Sequence, residues 1–173
     1  MKILIAYFSR KGGNYGNGGV ITLAKGNTEI AAETIRKLTG GETFSIDTVK
    51  EYPADYEKTT QVAQVELRQG ARPELKNRVA DMSEYDVVFL GYPNWWGTMP
   101  MAVCTFLEGY DFSGKTILPF CTNEGSGMGH SEGDIKKLCP KAKMLKGLAI
   151  RGTAVKSAER AIADWIAASG IKA

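Results

Sequence analysis

Gly91-Tyr92-Pro93-Asn94-Trp95-Trp96-Gly97-Thr98 puts two adjacent tryptophans and an amide side chain directly behind the apolar run Val87-Val88-Phe89-Leu90. A run of that length, β-branched at its start and closed by glycine and proline, reads as a buried strand spilling into a loop. Such a loop offers flat apolar surface, backbone amides and one side-chain amide to a planar ligand. From the loop alone, tryptophans packed over the edge of a sheet fit the pattern equally well. A second chemistry-bearing stretch runs from Ser9, at the end of the apolar segment Lys2 to Phe8, to Gly26-Asn27-Thr28-Glu29, where helical spacing begins. A strand feeding a glycine-bearing loop whose end opens a helix is the geometry that binds phosphate. The first helical N–H groups are unpaired there, and the helix dipole favours an anion. Hydroxyls at Ser9 and Thr28 and the amide of Asn27 add donors. The spacing matches neither the nucleotide P-loop nor the dinucleotide fingerprint, and an ordinary strand-to-helix turn with a capped helix is the competing reading. A third stretch, Thr122-Asn123-Glu124-Gly125-Ser126-Gly127-Met128-Gly129, is another glycine-dense loop behind an apolar run.

Other chemistries have little material to work with. The three cysteines, Cys104, Cys121 and Cys139, are odd in number, widely spaced and without a C-x-x-C pair. That argues against a disulfide framework, a zinc site and a dithiol centre, and for reduced, packed thiols. The one histidine, His130, sits in a glycine-rich loop and reads as a rim residue; a histidine-based metal site or a Ser/His/Asp triad is not built from it. Net charge is +3, but the basic residues are scattered and form no stripe with interleaved aromatics, so no nucleic-acid partner is expected. No apolar stretch approaches the roughly 20 residues of a membrane span, and Met1 to Tyr7 carries no signal-peptide pattern. A cytoplasmic protein with no membrane partner is expected.

The elements that must position these loops follow from periodicity. Strands are predicted over Lys2–Phe8, Thr43–Val49, Val87–Leu90, Lys115–Cys121 and, weakened by Gly147, Met144–Ile150. Helices are predicted from Asn27 or Thr28 to Gly40-Gly41, over Thr59–Gln69, Pro100–Leu107, Ile135–Leu138 and Ala158–Ala168, the last with Trp165 in the core. The glycine-rich excursion from Arg10 to Lys25 holds the short run Val20–Leu23, a candidate hairpin arm, and is expected to loop outward. Tyr52 and Tyr56 are expected chiefly to pack a turn onto the sheet edge. Strands alternating with helices over 173 residues, 43% of them hydrophobic, predict one α/β domain, residues 1–173, with a parallel sheet. The loops after the first, third and fourth strands then share one edge of the sheet and converge on one crevice.

A phosphate subsite at one end of that crevice and a flat amphipathic wall at the other describe a flavin mononucleotide. Tyr7-Phe8-Ser9 with Gly26-Asn27-Thr28, then Gly91 to Gly97, then Cys121-Thr122-Asn123-Glu124-Gly125-Ser126-Gly127 resemble, in the right order, the FMN-binding loops of flavodoxin-like proteins. The resemblance implies a three-layer flavodoxin-like sandwich with a five-stranded parallel sheet in the order 2-1-3-4-5 and FMN at the switch point. Carried over by position, it implies that Ser9, Gly26, Asn27 and Thr28 hold the phosphate. Pro93, Asn94, Trp95, Trp96, Gly97 and Thr98 would contact the ring and ribityl chain, and Thr122, Glu124, Gly125 and Ser126 the pyrimidine edge. The long excursion between Ser9 and Gly26 departs from the compact phosphate loop of typical flavodoxins. The fourth-strand loop also lacks the aromatic that often covers the second face of the ring, leaving that face open or covered by Tyr56 or the excursion.

The resemblance implies an FMN-binding redox protein that transfers electrons through the bound cofactor, with the chemistry on FMN and no catalytic side chain or metal. Its partner would be a redox protein or a small acceptor such as a quinone, and its state a monomer or homodimer. Two alternatives stand beside it: an FMN-dependent NAD(P)H quinone or flavin reductase, and a non-catalytic binding module of the same fold that lacks FMN.

Overall fold

The segment Ile3–Tyr7 (β1) is apolar at nearly every position because both faces of the strand are covered. In the computed structural model, which describes residues 1–172 and so all but the last residue of the expected domain, Ile3 and Ile5 face one side of the sheet and Leu4 and Ala6 the other. The remaining elements are a hairpin of β2 (Gly12–Gly16) and β3 (Gly19–Leu23), then α1 (Asn27–Thr39), β4 (Glu42–Ser45), α2 (Tyr56–Gln69), β5 (Val87–Pro93) and α3 (Met101–Glu108). They are followed by β6 (Thr116–Asn123), α4 (Ser131–Leu138), β7 (Lys143–Met144), β8 (Leu148–Arg151) and α5 (Glu159–Ser169).

The main sheet runs β4-β1-β5-β6-β7, all neighbours parallel, with β8 continuing beside β6. Counting β7 and β8 as one interrupted strand, this is the expected order 2-1-3-4-5. Ala31, Ala32 and Ile35 of α1 and Ile162 and Ile166 of α5 pack on Ile5, Phe89, Leu118 and Phe120. On the other face, Val103, Phe106 and Leu107 of α3 and Ile135 of α4 pack on Leu4, Val88, Leu90 and Tyr92, and Leu67 of α2 joins them. Helix–sheet–helix layering thus follows directly from period-2 burial along the strands. Trp165 packs edge-on against Phe89, ring centroids 5.6 Å apart, in the core role expected of it.

The second and fifth expected strands are shorter than their apolar runs, for different reasons. After Ile46 the chain leaves β1: Thr48 pairs antiparallel with Leu75, and the Val49 N–H donates to the Glu74 carbonyl at 2.9 Å. The fifth strand is cut by Pro119 on its neighbour, which has no N–H to give a ladder. Between the pairs Ile117↔Met144 and Phe120↔Leu148, the two residues Leu118 and Pro119 face the three residues 145–147, a bulge. The orphaned groups find side chains instead: Gly147 N–H donates to Glu132 Oε1 at 2.7 Å, and Trp165 Nε1 donates to the Lys146 carbonyl at 2.8 Å. A side chain at 147 would run into the Pro119 carbonyl, 3.0 Å from its Cβ position.

Helix α2 also starts three residues before the predicted Thr59, because the Asp55 carboxylate accepts the Lys58 N–H at 2.8 Å and caps it. The three thiols are free and buried, and burial pushes Cys121 up to about 12 and Cys104 and Cys139 up to about 11.

Two outcomes are expected. Glu132→Ala leaves the Gly147 N–H unpaired and should lower unfolding free energy by about 1–2 kcal/mol in urea titrations; an unchanged midpoint would remove the bulge's anchor. With every thiol buried and protonated, iodoacetamide at pH 8 should leave the native protein unlabelled and label all three cysteines after unfolding, as read by mass spectrometry.

Candidate functional site

Helix α1 opens at the carboxyl end of β1, and its N-cap is Gly26, which has no side chain to cap with. Ser9 supplies the missing cap across the chain: its Oγ accepts the Glu29 N–H at 3.0 Å. The approach is so close that a Cβ on Gly26 would collide with Ser9 Oγ and lie 2.9 Å from the Arg10 nitrogen, so only glycine fits. The N–H groups of Asn27 and Thr28 remain without a partner among the described residues, aimed with the positive end of the helix dipole. Thr28 Oγ1 and Thr122 Oγ1 share a buried hydrogen bond at 2.8 Å, which joins this helix end to the carboxyl end of β6.

The tryptophan loop leaves β5 as a tight turn. Trp95 and Thr98 exchange backbone hydrogen bonds of 2.8 and 3.3 Å, and the two residues between them, Trp96 and Gly97, have φ of 55° and 85°. Positive φ is uncommon for a tryptophan and needs support from the surroundings. That support is visible: Trp96 Nε1 donates to the Thr60 carbonyl on α2 at 2.9 Å, with the ring half exposed. Trp95 joins Phe8 and Tyr52 in a triangle of edge-on rings, its centroid 5.1 Å from each and theirs 5.7 Å apart. Tyr52 is held in turn by its hydroxyl, which donates to Glu66 Oε2 at 2.7 Å; burial and then that carboxylate raise the phenol's pKa. Thr98 is buried, and its hydroxyl donates to Asp134 Oδ2 at 2.6 Å, the same oxygen that His130 Nδ1 meets at 2.8 Å.

Asn94 ties these parts together. Its N–H donates to the Thr122 carbonyl, its Oδ1 accepts the Gly97 N–H, and its Nδ2 donates to the Gly127 carbonyl, each at 2.9 Å. In the loop after β6, the Glu124 carboxylate accepts the Thr153 N–H at 2.8 Å and pairs with Arg151 Nε at 3.6 Å, and Gly125 N–H donates to Asn123 Oδ1 at 2.9 Å.

The result is a cleft of about 300 Å³ at the carboxyl ends of β1, β5 and β6. Of the residues singled out from the sequence, Asn27, Thr28, Pro93, Asn94, Trp95, Thr122, Glu124 and Ser126 line it. Ser9, Gly26, Gly97, Thr98 and Gly125 stand behind the lining and set its shape, while Trp96 turns into a neighbouring cavity. Sequence reasoning passed over Arg10, Asn14, Tyr15, Asn123 and Gly152 and undervalued Tyr56; all six line the cleft.

The excursion accounts for most of these and corrects the outward loop expected of it. Its hairpin forms on an Asn17-Gly18 turn with φ of 52° and 80°, and it folds back over the site. Arg10 fastens it, donating to the carbonyls of Pro53 and Ala54 at 2.8 Å and to that of Gly13. Partial burial lowers the pKa of its guanidinium. Tyr15 is thereby brought over Tyr56, ring centroids 6.2 Å apart, at the start of α2. The Asn-Gly pair was the available signal for the turn; the direction of the fold-back was not.

An anion at the α1 end and a flat ring along the Asn94–Trp95 wall suit this cleft. Cys121 lies fully buried, its thiol directed at the Thr122 and Gly127 carbonyls, and takes no part in the lining. Among the described residues, no group of three His, Cys, Asp or Glu side chains is placed to hold a metal ion, and no helix is long and apolar enough to cross a membrane.

Comparison with known proteins bears on the fold and the family. A crystal structure of a protein from Bacteroides eggerthii DSM 20697 is 32% identical over 99% of each chain, with a TM-score of 0.80. One from Bacteroides uniformis ATCC 8492 is 28% identical over 96% of this chain and 97% of its own, with a TM-score of 0.75. A flavoprotein in complex with FMN from Lactobacillus acidophilus NCFM shares the fold at 20% identity over 90% of this chain and 97% of its own, TM-score 0.66. No curated protein matches the chain. The family model described as Flavodoxin matches residues 2–169, nearly the whole length, and the chain belongs to the flavodoxin family.

Proposed function

We propose that the protein binds FMN in the cleft and passes electrons through it. One observation carries the reading. An open helix N-terminus, an aromatic wall and a glycine-dense loop meet in a single cleft where the strand order reverses, the place where open α/β sheets bind ligands. The residues fit the cofactor. The Asn27 and Thr28 N–H groups supply the anion subsite, Ser9 and Gly26 hold that helix end open, and Arg10 puts a positive charge in the lining of the same cleft. Pro93, Asn94 and Trp95 offer the ring a flat wall braced by Phe8 and Tyr52, with Trp96, Gly97 and Thr98 fixing the turn behind it. Thr122, Glu124, Gly125 and Ser126 close the opposite side, and Tyr15 and Tyr56 cover the face left open by a loop without aromatics. A flavoprotein of the same fold, solved with FMN, supports the assignment.

Bound FMN supplies one- or two-electron transfer, and the chain binds, orients and shields it. No side chain of the cleft is needed as acid or base. Electrons would leave to a redox protein or a small acceptor, from a monomer or homodimer.

The test is spectroscopic. Purified protein should show flavin absorbance or acquire it on addition of FMN, in one-to-one stoichiometry. Because the α1 terminus recognises the phosphate, FMN should bind at least about tenfold more tightly than riboflavin. Gly26→Ala should narrow that ratio. Colourless protein that takes up no FMN would overturn the reading in favour of a binding module without the cofactor; equal affinity for riboflavin would displace the phosphate from the helix end.

A further inference from the structure

Beside the cleft, across the tryptophan loop, lies a second cavity of about 420 Å³. Thr59, Thr60 and Ala63 of α2 form one side and Trp96 the other, and Tyr56, Asn94 and Trp95 line both spaces. The polar groups around it are turned away. Thr59 Oγ1 donates to the Pro53 carbonyl at 2.7 Å, Thr60 Oγ1 to the Glu57 carbonyl at 2.6 Å, and Trp96 Nε1 to the Thr60 carbonyl at 2.9 Å. Asn94 spends its Oδ1 on the Gly97 N–H and its Nδ2 on the Gly127 carbonyl, and of the hydroxyls lining the cavity only that of Tyr56 lacks a hydrogen-bond partner among the described residues. None of the described residues that line the cavity is charged.

Those surfaces select for a ligand. A phosphate-bearing or carboxylate ligand would enter without a cation to pair with, which is costly. A flat ring gains offset or edge contacts with two indoles and a phenol. The positive φ of Trp96 is an outlier held by a hydrogen bond across the cavity mouth, and such held outliers gather at ligand sites.

We propose that this cavity is the acceptor site, taking a small, flat, uncharged ring of the quinone class between Trp96 and α2, with an acceptor oxygen at the Tyr56 hydroxyl. The proposal rests on FMN in the adjoining cleft as the electron source. The quinone takes two electrons and two protons from reduced FMN, its two carbonyl oxygens become hydroxyls, and FMN is left oxidised. A nicotinamide dinucleotide is disfavoured here because its phosphates meet no cation.

The experiment is a titration of 2-methyl-1,4-naphthoquinone into oxidised, FMN-loaded protein, followed by NMR, with FMN affinity measured separately by absorbance. Saturable shifts of the Trp96 indole N–H and of the amides from Thr59 to Ala63 are expected. Ala63→Leu, which fills the cavity, should weaken quinone binding at least about tenfold and leave FMN affinity within about twofold. Absence of saturable shifts in the wild-type protein overturns the proposal, as does a variant that binds the quinone undiminished. A parallel loss of FMN in the folded variant also overturns it, because the cavity would then be part of the flavin's own seat. If the variant does not fold, the wild-type shift map decides alone. Protein that takes up no FMN refutes the redox reading, and the same titration run on that FMN-free protein then reports separately whether the cavity holds the quinone.

Discussion

Asn94 leaves β5 with its N–H on the Thr122 carbonyl and its side-chain amide spread between Gly97 and Gly127, and the cleft exists because that one residue holds two loops in register. An amide side chain suits the position because it accepts the Gly97 N–H on one atom and donates to the Gly127 carbonyl from another; a carboxylate of the same size would leave the Gly127 carbonyl without a donor. Around this bridge the other constraints are arranged in series. Thr98 is anchored on Asp134, Trp95 is packed edge-on against Phe8 and Tyr52, and Glu124 is moored to Thr153. A ligand that enters therefore meets walls already ordered by the protein's own hydrogen bonds, which reduces the entropic cost of binding.

The helix end is preorganised in a different way. Gly26 cannot cap its own helix, and Ser9 caps Glu29 from twenty residues earlier, so two N–H groups stay open. The excursion inserted between these residues does not disturb them. Arg10 fastens it by donating to carbonyls on the 53–54 turn, and the hairpin becomes a roof that brings Tyr15 over Tyr56. The insertion thus lays an aromatic pair, Tyr15 and Tyr56, along the cleft, where the loop after β6 has no aromatic of its own.

The local parts of this arrangement were legible in the sequence, and the long-range parts were not. Apolar runs with β-branched residues marked the sheet, Gly26-Asn27-Thr28 marked the open helix end, and Trp95-Trp96 marked the wall. Which tryptophan faces which way was not readable, since it is decided by Thr60, 36 positions before Trp96, and by Phe8 and Tyr52. The fold-back of the excursion depends on Arg10 reaching carbonyls 43 and 44 positions away, and the burial of the Thr98 hydroxyl on an aspartate 36 positions on. Pro119 was visible as a residue, but its effect falls on the neighbouring strand and emerges only once the pairing is known. The early start of α2 at Asp55 is the exception: the capping residue was in plain view and its signal was passed over for the apolar spacing that follows.

The claim that these loops form a ready-made flavin site is tested most directly by a crystal structure of the protein with FMN. The expected result is phosphate at the Asn27–Thr28 end, the ring along Asn94 and Trp95 beneath Tyr15 and Tyr56, and the Asn94 bridge to Gly97 and Gly127 intact. FMN bound elsewhere, or a cleft that forms only after the Asn94 bridge breaks and the loops rebuild, would contradict it.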